Sequence, residues 1–150
     1  MGSFDPDTVR YFAALCSGLQ DKPRDQYEGL TGDLATKRAR TVDLFTQQAE
    51  RLDGATDGMK AAGIPNIPEG AALASATIAT YPKVAAAARQ GAKLVAGATS
   101  QAELDDQFQA AREATDAAGA PLDDVAEIIG APAVVGQMKK IAACASVLNG

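Results

Sequence analysis

Seven prolines and fourteen glycines punctuate this 150-residue chain, and several of them mark where helices begin and end. Asp5-Pro6 is a helix start, with an aspartate to cap the first turn and a proline at the first helical position, where its missing N–H costs nothing. Val9, Phe12, Cys16 and Leu19 follow at alternating spacings of three and four, as on one face of a helix. Residues 21–32 read as a polar connection with Pro23, Gly29 and Gly32, with room for one short turn. A long helix is predicted over 33–62, with Val42, Phe45, Ala49, Leu52, Thr56 and Met59 in the heptad register of a bundle seam. Gly63 is placed to cap it in a left-handed conformation, and Pro65 and Pro68 prevent its continuation.

A third helical stretch is predicted over 69–98. It contains Pro82, which removes a backbone hydrogen bond and crowds the preceding turn, so a kink or break is expected near Thr80. Ser100-Gln101-Ala102-Glu103 has the form of a capping box and opens a fourth helix, expected to end at Ala118 with Gly119 as its cap. Pro121 starts a short helix over 121–129, and Gly130-Ala131-Pro132 interrupts it. A last helix is predicted to run to Leu148, with Val134, Met138, Ile141, Ala145 and Leu148 as its apolar stripe. The junctions at 61–65 and 117–121 look alike, but they use one glycine-then-proline grammar twice and do not establish a repeat.

The segments sum to an all-α, antiparallel bundle of four principal helices plus short ones. Composition agrees: the chain is 47% apolar, much of that alanine, and only 5% aromatic, which suits closely packed helices better than sheets. Residues 4–150 form one expected domain, and Met1-Gly2-Ser3 reads as an appended expression start. The longest apolar stretch, 71–98, is interrupted by Lys83, Arg89 and Lys93, so no transmembrane segment is expected. A net charge of −5 argues against nucleic acid as a partner.

Two cysteines stand near opposite ends of the chain. Cys16 lies in the apolar stripe of the first helix and Cys144 beside that of the last, so both point inward from helices that neighbour each other in an antiparallel bundle. The alternative is a pair of reduced cysteines acting as small hydrophobes. A Cys16–Cys144 disulfide is favoured because the count is even, the placement is terminal to terminal and no third cysteine competes. Cys-x-x-Cys spacing is absent, so the bond is structural rather than catalytic, and it implies an oxidising compartment.

The chain contains no histidine, which excludes Ser-His-Asp and Cys-His machinery and histidine-dependent zinc or di-iron sites. Glycine-rich phosphate loops are also missing. Glu103, Asp105 and Asp106, and again Asp123 and Asp124, sit in first turns, where the helix dipole favours negative charge. Asp53 and Asp57 lie one turn apart without a calcium-loop pattern around them. Lys37, Arg38 and Arg40 form the one basic cluster, with Asp33 and Asp43 spaced to pair with it. Gly54 and Gly58 make a GxxxG that suggests close backbone approach, and Gly91 and Gly97 punctuate the third helix. No catalytic residue, metal ligand or cofactor is expected. The candidate partner-binding loop is Ile64, Pro65, Asn66, Ile67 and Pro68, two isoleucines held between prolines.

The chain resembles small secreted proteins and lipoproteins of actinobacterial cell envelopes. The likeness lies in Asp5-Pro6-Asp7-Thr8 before an aromatic-containing helix with Cys16, in the Ala/Asp/Gly-rich helices, and in the closing Ala142-Ala143-Cys144. It implies an extracytoplasmic location, secreted or envelope-associated, with a signal peptide removed ahead of Phe4. The expected function is a non-enzymatic binding or accessory module for another protein. Two alternatives remain open: a carrier of a small apolar ligand within the bundle, and a cytosolic helical adaptor with reduced cysteines.

Overall fold

A computed structural model describes residues 2–20 and 23–149; Met1, Asp21, Lys22 and Gly150 lie outside the described residues, and with them part of the expected start and of the polar connection. The described chain is all-helical: α1 (Pro6–Ser17), α2 (Pro23–Glu28), α3 (Leu34–Ala62), α4 (Gly70–Ala96), α5 (Gln101–Gly119), a 3₁₀ segment (Ala120–Val125), α6 (Ala126–Gly130), α7 (Pro132–Met138) and α8 (Ala142–Asn149). Among the described residues no helix is long and apolar enough to cross a membrane.

Capping chemistry sets the starts of the helices. Asp5 accepts the Thr8 N–H at 2.7 Å and Asp33 accepts the Thr36 N–H at 2.9 Å, each satisfying a donor that has no partner inside its helix. Ser100 likewise accepts the Glu103 N–H at 3.1 Å. The capping box is only half made, because the Glu103 carboxylate takes the Thr99 hydroxyl at 3.1 Å and the Gln107 amide at 3.3 Å instead of returning to Ser100.

The buried face of α1 is Thr8, Tyr11, Phe12, Leu15 and Cys16, whereas Val9 and Leu19 are exposed. The helix is therefore turned from the expected stripe. Burying two adjacent aromatic rings removes more apolar area from water than burying Val9 and Leu19 would. On α3 the expected seam is buried from Phe45 through Met59, joined by Thr41 and Ala55. The buried Thr41 and Thr56 hydroxyls donate to the carbonyls of Lys37 and Leu52, one turn back, at 2.6 and 2.8 Å. Gly63 ends α3 at φ 80°, donating its N–H to Met59 at 3.1 Å.

Helix α4 runs unbroken through Pro82, so of the kink or break expected near Thr80 the break does not occur. Its proline ring is on the exposed side, while Tyr81 beside it is fully buried and donates its hydroxyl to the Leu15 carbonyl at 2.7 Å. Packing against α3 on one side and α5 on the other offsets the roughly 3 kcal/mol that proline costs inside a helix. Two further boundaries differ from expectation. Gly119 has φ −84°, so it continues the chain into the 3₁₀ segment instead of capping α5, and Pro121 enters there as a residue with no N–H to offer. The two similar-looking junctions thus differ in conformation. The single last helix splits into α7 and α8, because after Lys139 the bonds tighten to Lys140 N–H onto Gln137 and Ile141 N–H onto Met138. Val134, Met138 and Cys144 are buried, but Ile141 and Ala145 are only half-buried and Leu148 is exposed.

The main helices approach closely at small residues. A Cβ built on Gly58 would lie 2.9 Å from the Ala14 Cβ, and one on Gly91 would lie 2.9 Å from the Ala111 Cβ; at Gly54 nothing is within 4 Å. Between α1 and α4, the Tyr11 hydroxyl lies 2.6 Å from the Thr77 hydroxyl, which in turn donates to Leu73 at 2.9 Å. Cys16 and Cys144, both fully buried, sit at disulfide-bonding distance with Cα atoms 5.0 Å apart where α8 packs on α1.

Only one glycine of the GxxxG pair is therefore a spacing residue. Gly54→Ala is expected to stabilise the fold by up to about 1 kcal/mol, the ordinary helix-propensity gain. Gly58→Val should destabilise it by about 1–3 kcal/mol by forcing α1 and α3 apart. Denaturant unfolding of both variants checks the contrast.

Candidate functional site

The loop over 64–68 is built from α3's glycine stop and α4's delayed start. Glu69 adopts φ 60° and Gly70 packs so tightly that a Cβ there would collide with the Pro65 carbonyl. Ile67 N–H donates to Pro65 at 3.0 Å, Gly70 N–H donates to Ile67 at 3.0 Å, and Asn66 N–H donates to the Thr8 hydroxyl at 3.0 Å. This ties the loop to the first turn of α1. Pro65 is buried and Ile67 packs against the core, while Asn66 and Pro68 are exposed and Ile64 is 67% exposed. The five candidate residues thus divide into an anchor, Pro65 and Ile67, and an outward tip led by Ile64.

Several charged candidates have structural partners. Arg38, from the basic cluster, reaches across to the Ala98 carbonyl at 2.7 Å, just beyond the C-terminal end of α4, where positive charge complements the helix dipole. Asp53 pairs with Arg89 of α4 rather than with Asp57 in a cation site. Among the described residues no group of three or more carboxylates and cysteines is placed to hold a metal ion. Asp105 accepts from the Tyr27 hydroxyl and from the Gln101 amide at 2.8 Å. Burial, and then this carboxylate, push the Tyr27 hydroxyl well above the usual tyrosine range, so it stays protonated. Its ring stacks on Phe108 with centroids 4.0 Å apart, which fastens α2 to α5.

An open groove of about 480 Å³ lies where the end of α1 meets α3, α4, α5 and the 3₁₀ segment. Its floor is Leu52, Tyr81, Val84 and Thr115, all buried. Leu19 and Leu122 form its apolar sides, and Asp116 and Asp123 stand exposed at its edge. Gln48 and Thr115 also line a smaller adjoining depression beside Arg24 and Arg112. The groove therefore lies on the surface and is not an enclosed cavity within the bundle. Sequence reasoning did not find it, because its walls come from five elements with no shared motif. The signal in the sequence was Leu19, read there as part of the first helix's apolar face and found exposed just past the end of α1.

Compared with known proteins, the chain matches no family model, no curated protein and no solved structure.

The loop anchor depends on pH through Asp5. Its carboxyl is held below the usual range chiefly by the Thr8 N–H, with the Asn66 side chain a further hydrogen-bond donor. A depressed carboxyl stabilises the fold above its ordinary pKa and loses that effect as pH falls through the lowered value. The melting midpoint should therefore fall on acidification below about pH 4. Asp5→Asn, which still caps the helix, should lose less over that interval, as thermal melts followed by circular dichroism would show.

Proposed function

We propose that the protein is an antiparallel bundle of four principal helices, α1, α3, α4 and α5, closed by a Cys16–Cys144 disulfide, and that it works outside the cytoplasm as a non-enzymatic binding module. The observation carrying this reading is the cysteine pair: two fully buried sulfurs at bonding distance, one from the first helix and one from the last. A bond of this kind persists in oxidising compartments. The layout resembles that of secreted and lipid-anchored proteins of actinobacterial envelopes, and we place the protein in that setting. Binding rather than catalysis is supported by a chain without histidine whose tyrosine hydroxyls are engaged in structural hydrogen bonds.

Its protein-facing contact is the tip of the 64–68 loop. Ile64 stands out from a backbone already fixed by Thr8 and Gly70, so a partner meets an ordered apolar residue at little entropic cost. A second reading, a carrier of a small ligand, is favoured by the groove over Leu52, Tyr81 and Val84. The ligand then lies along the bundle's surface and not inside it.

Acid-trapping and alkylation of the protein taken from its own cells tests the location. The expected result is no label on the denatured chain until it is reduced, then two, with the protein in the extracytoplasmic fraction. Two labels without reduction, in a cytosolic fraction, would favour an adaptor with free thiols instead. For the loop, a photo-crosslinker at position 64 should join to one partner protein, and Ile64→Ser should weaken that complex while leaving the melting temperature unchanged.

A further inference from the structure

We infer that residues 126–149 form a strap latched by the Cys16–Cys144 bond. With the bond made, the strap lies closed on α1; a dithiol that reduces the bond releases it as one unit and leaves the rest of the bundle folded. This rests on the disulfide in the reading above and adds a conformational role to it. The two sides of the latch are held differently. Cys16 belongs to α1, which packs along α3. That helix is also tied to α4, by the Tyr11 and Thr77 hydroxyls 2.6 Å apart and by the Tyr81 hydroxyl donating to Leu15 at 2.7 Å. Cys144 belongs to α8, which packs on α1 alone in any breadth. Ahead of it α6 and α7 pack on each other, and α6 on the 3₁₀ segment, without broad contact to α1, α3, α4 or α5.

The strap is weakly built in other respects. Its helices are five, seven and eight residues long, too short to persist undocked. Gly136 sits inside α7 with nothing within 4 Å of a Cβ placed there, so it weakens the helix without serving a close approach. Val134, Met138 and Cys144 are buried, but Ile128, Ile129, Ile141 and Val147 are only half-buried. The Gln20 amide, just past α1, clasps α8 by donating to the Ala143 carbonyl at 3.2 Å and the Ser146 hydroxyl at 3.5 Å, both on the exposed surface.

Release is a thiol–disulfide exchange. One thiolate of the dithiol attacks a sulfur of the pair and the Cys16–Cys144 bond breaks; its second thiolate then resolves the mixed disulfide. The cysteines gain two electrons and two protons, and the dithiol is oxidised to its own disulfide. Both sulfurs are fully buried, so the attack captures a strap that has already lifted. Once reduced, the Cys144 thiol can hold the Phe12 carbonyl, 3.2 Å from its sulfur, only as a weak donor. The strap then swings from the 3₁₀ segment, which stays on α4 and α5.

Hydrogen exchange of the full chain, read by mass spectrometry with and without dithiothreitol and in the absence of denaturant, tests this. Alkylation first establishes the bond, with no label before reduction and two after. On reduction, amide protection over 126–149 should fall by about tenfold or more while α1, α3, α4 and α5 keep theirs. Trypsin should also cut faster after the exposed Lys139 and Lys140, and a Cys16→Ser, Cys144→Ser chain should match the reduced protein. Unchanged protection over 126–149 with the bond cut would overturn the strap and leave the disulfide reading intact. Loss of protection throughout would overturn it too, because the bond would then hold the whole bundle and not one segment. Labelling before reduction would remove the latch and the disulfide reading together.

Discussion

One joint ties the two ends of this fold together: Cys16 of α1 against Cys144 of α8. The long helices α3, α4 and α5 hold one another by broad contact along their lengths. The C-terminal fifth has no such partner, being a 3₁₀ segment followed by three helices of five to eight residues. Helices so short are not stable alone, and their placement comes from what they are attached to. The cysteine pair seats α8 on α1, and the 3₁₀ segment lies on α4 and α5, so the intervening α6 and α7 are held at both ends. The groove takes walls from the residues just past α1 and from the 3₁₀ segment that opens this return.

The bundle's interior depends on size matching more than on bulk. Gly58 faces Ala14 and Gly91 faces Ala111, which lets backbones approach, and the few large side chains fill what remains. Tyr11 and Tyr81 are fully buried, yet their hydroxyls are satisfied by Thr77 and Leu15, so each ring contributes apolar burial without leaving a polar group stranded. Those two hydrogen bonds, both reaching from α1 to α4, also fix the rotation of α1. That rotation turns Val9 and Leu19 outward.

The all-helical character, the caps at Asp5, Ser100 and Gly63 and the inward pair of cysteines could be read from local chemistry, because those capping residues act within their own turns. What could not be read was decided by tertiary packing. Pro82 was expected to kink or break α4, and the helix is not broken there, because a helix buried along its length tolerates a proline on its solvent side. Gly119 was expected to cap α5, but the chain tightened into a 3₁₀ segment instead. The last helix was expected to be continuous, and it bends at Lys139–Ile141 before α8 packs on α1. The 64–68 loop was recognisable as a feature, although only the structure separates the anchoring Pro65 and Ile67 from the outward Ile64. Leu19 apart, the groove had no sequence signature, since Leu52, Val84, Asp116 and Leu122 become neighbours only on folding.

The central claim is that the Cys16–Cys144 joint is a covalent bond on which the closed fold depends. Equilibrium unfolding in denaturant, with and without a thiol reductant, tests it most directly. A bond that closes nearly the whole chain contributes up to roughly 5 kcal/mol in the chain-entropy view, comparable to the total stability of many domains. The account predicts that reductant moves the midpoint sharply to lower denaturant and that a Cys16→Ser, Cys144→Ser chain behaves like the reduced protein. Superimposable curves for all three samples would contradict it, because the two ends would then be held together without the bond.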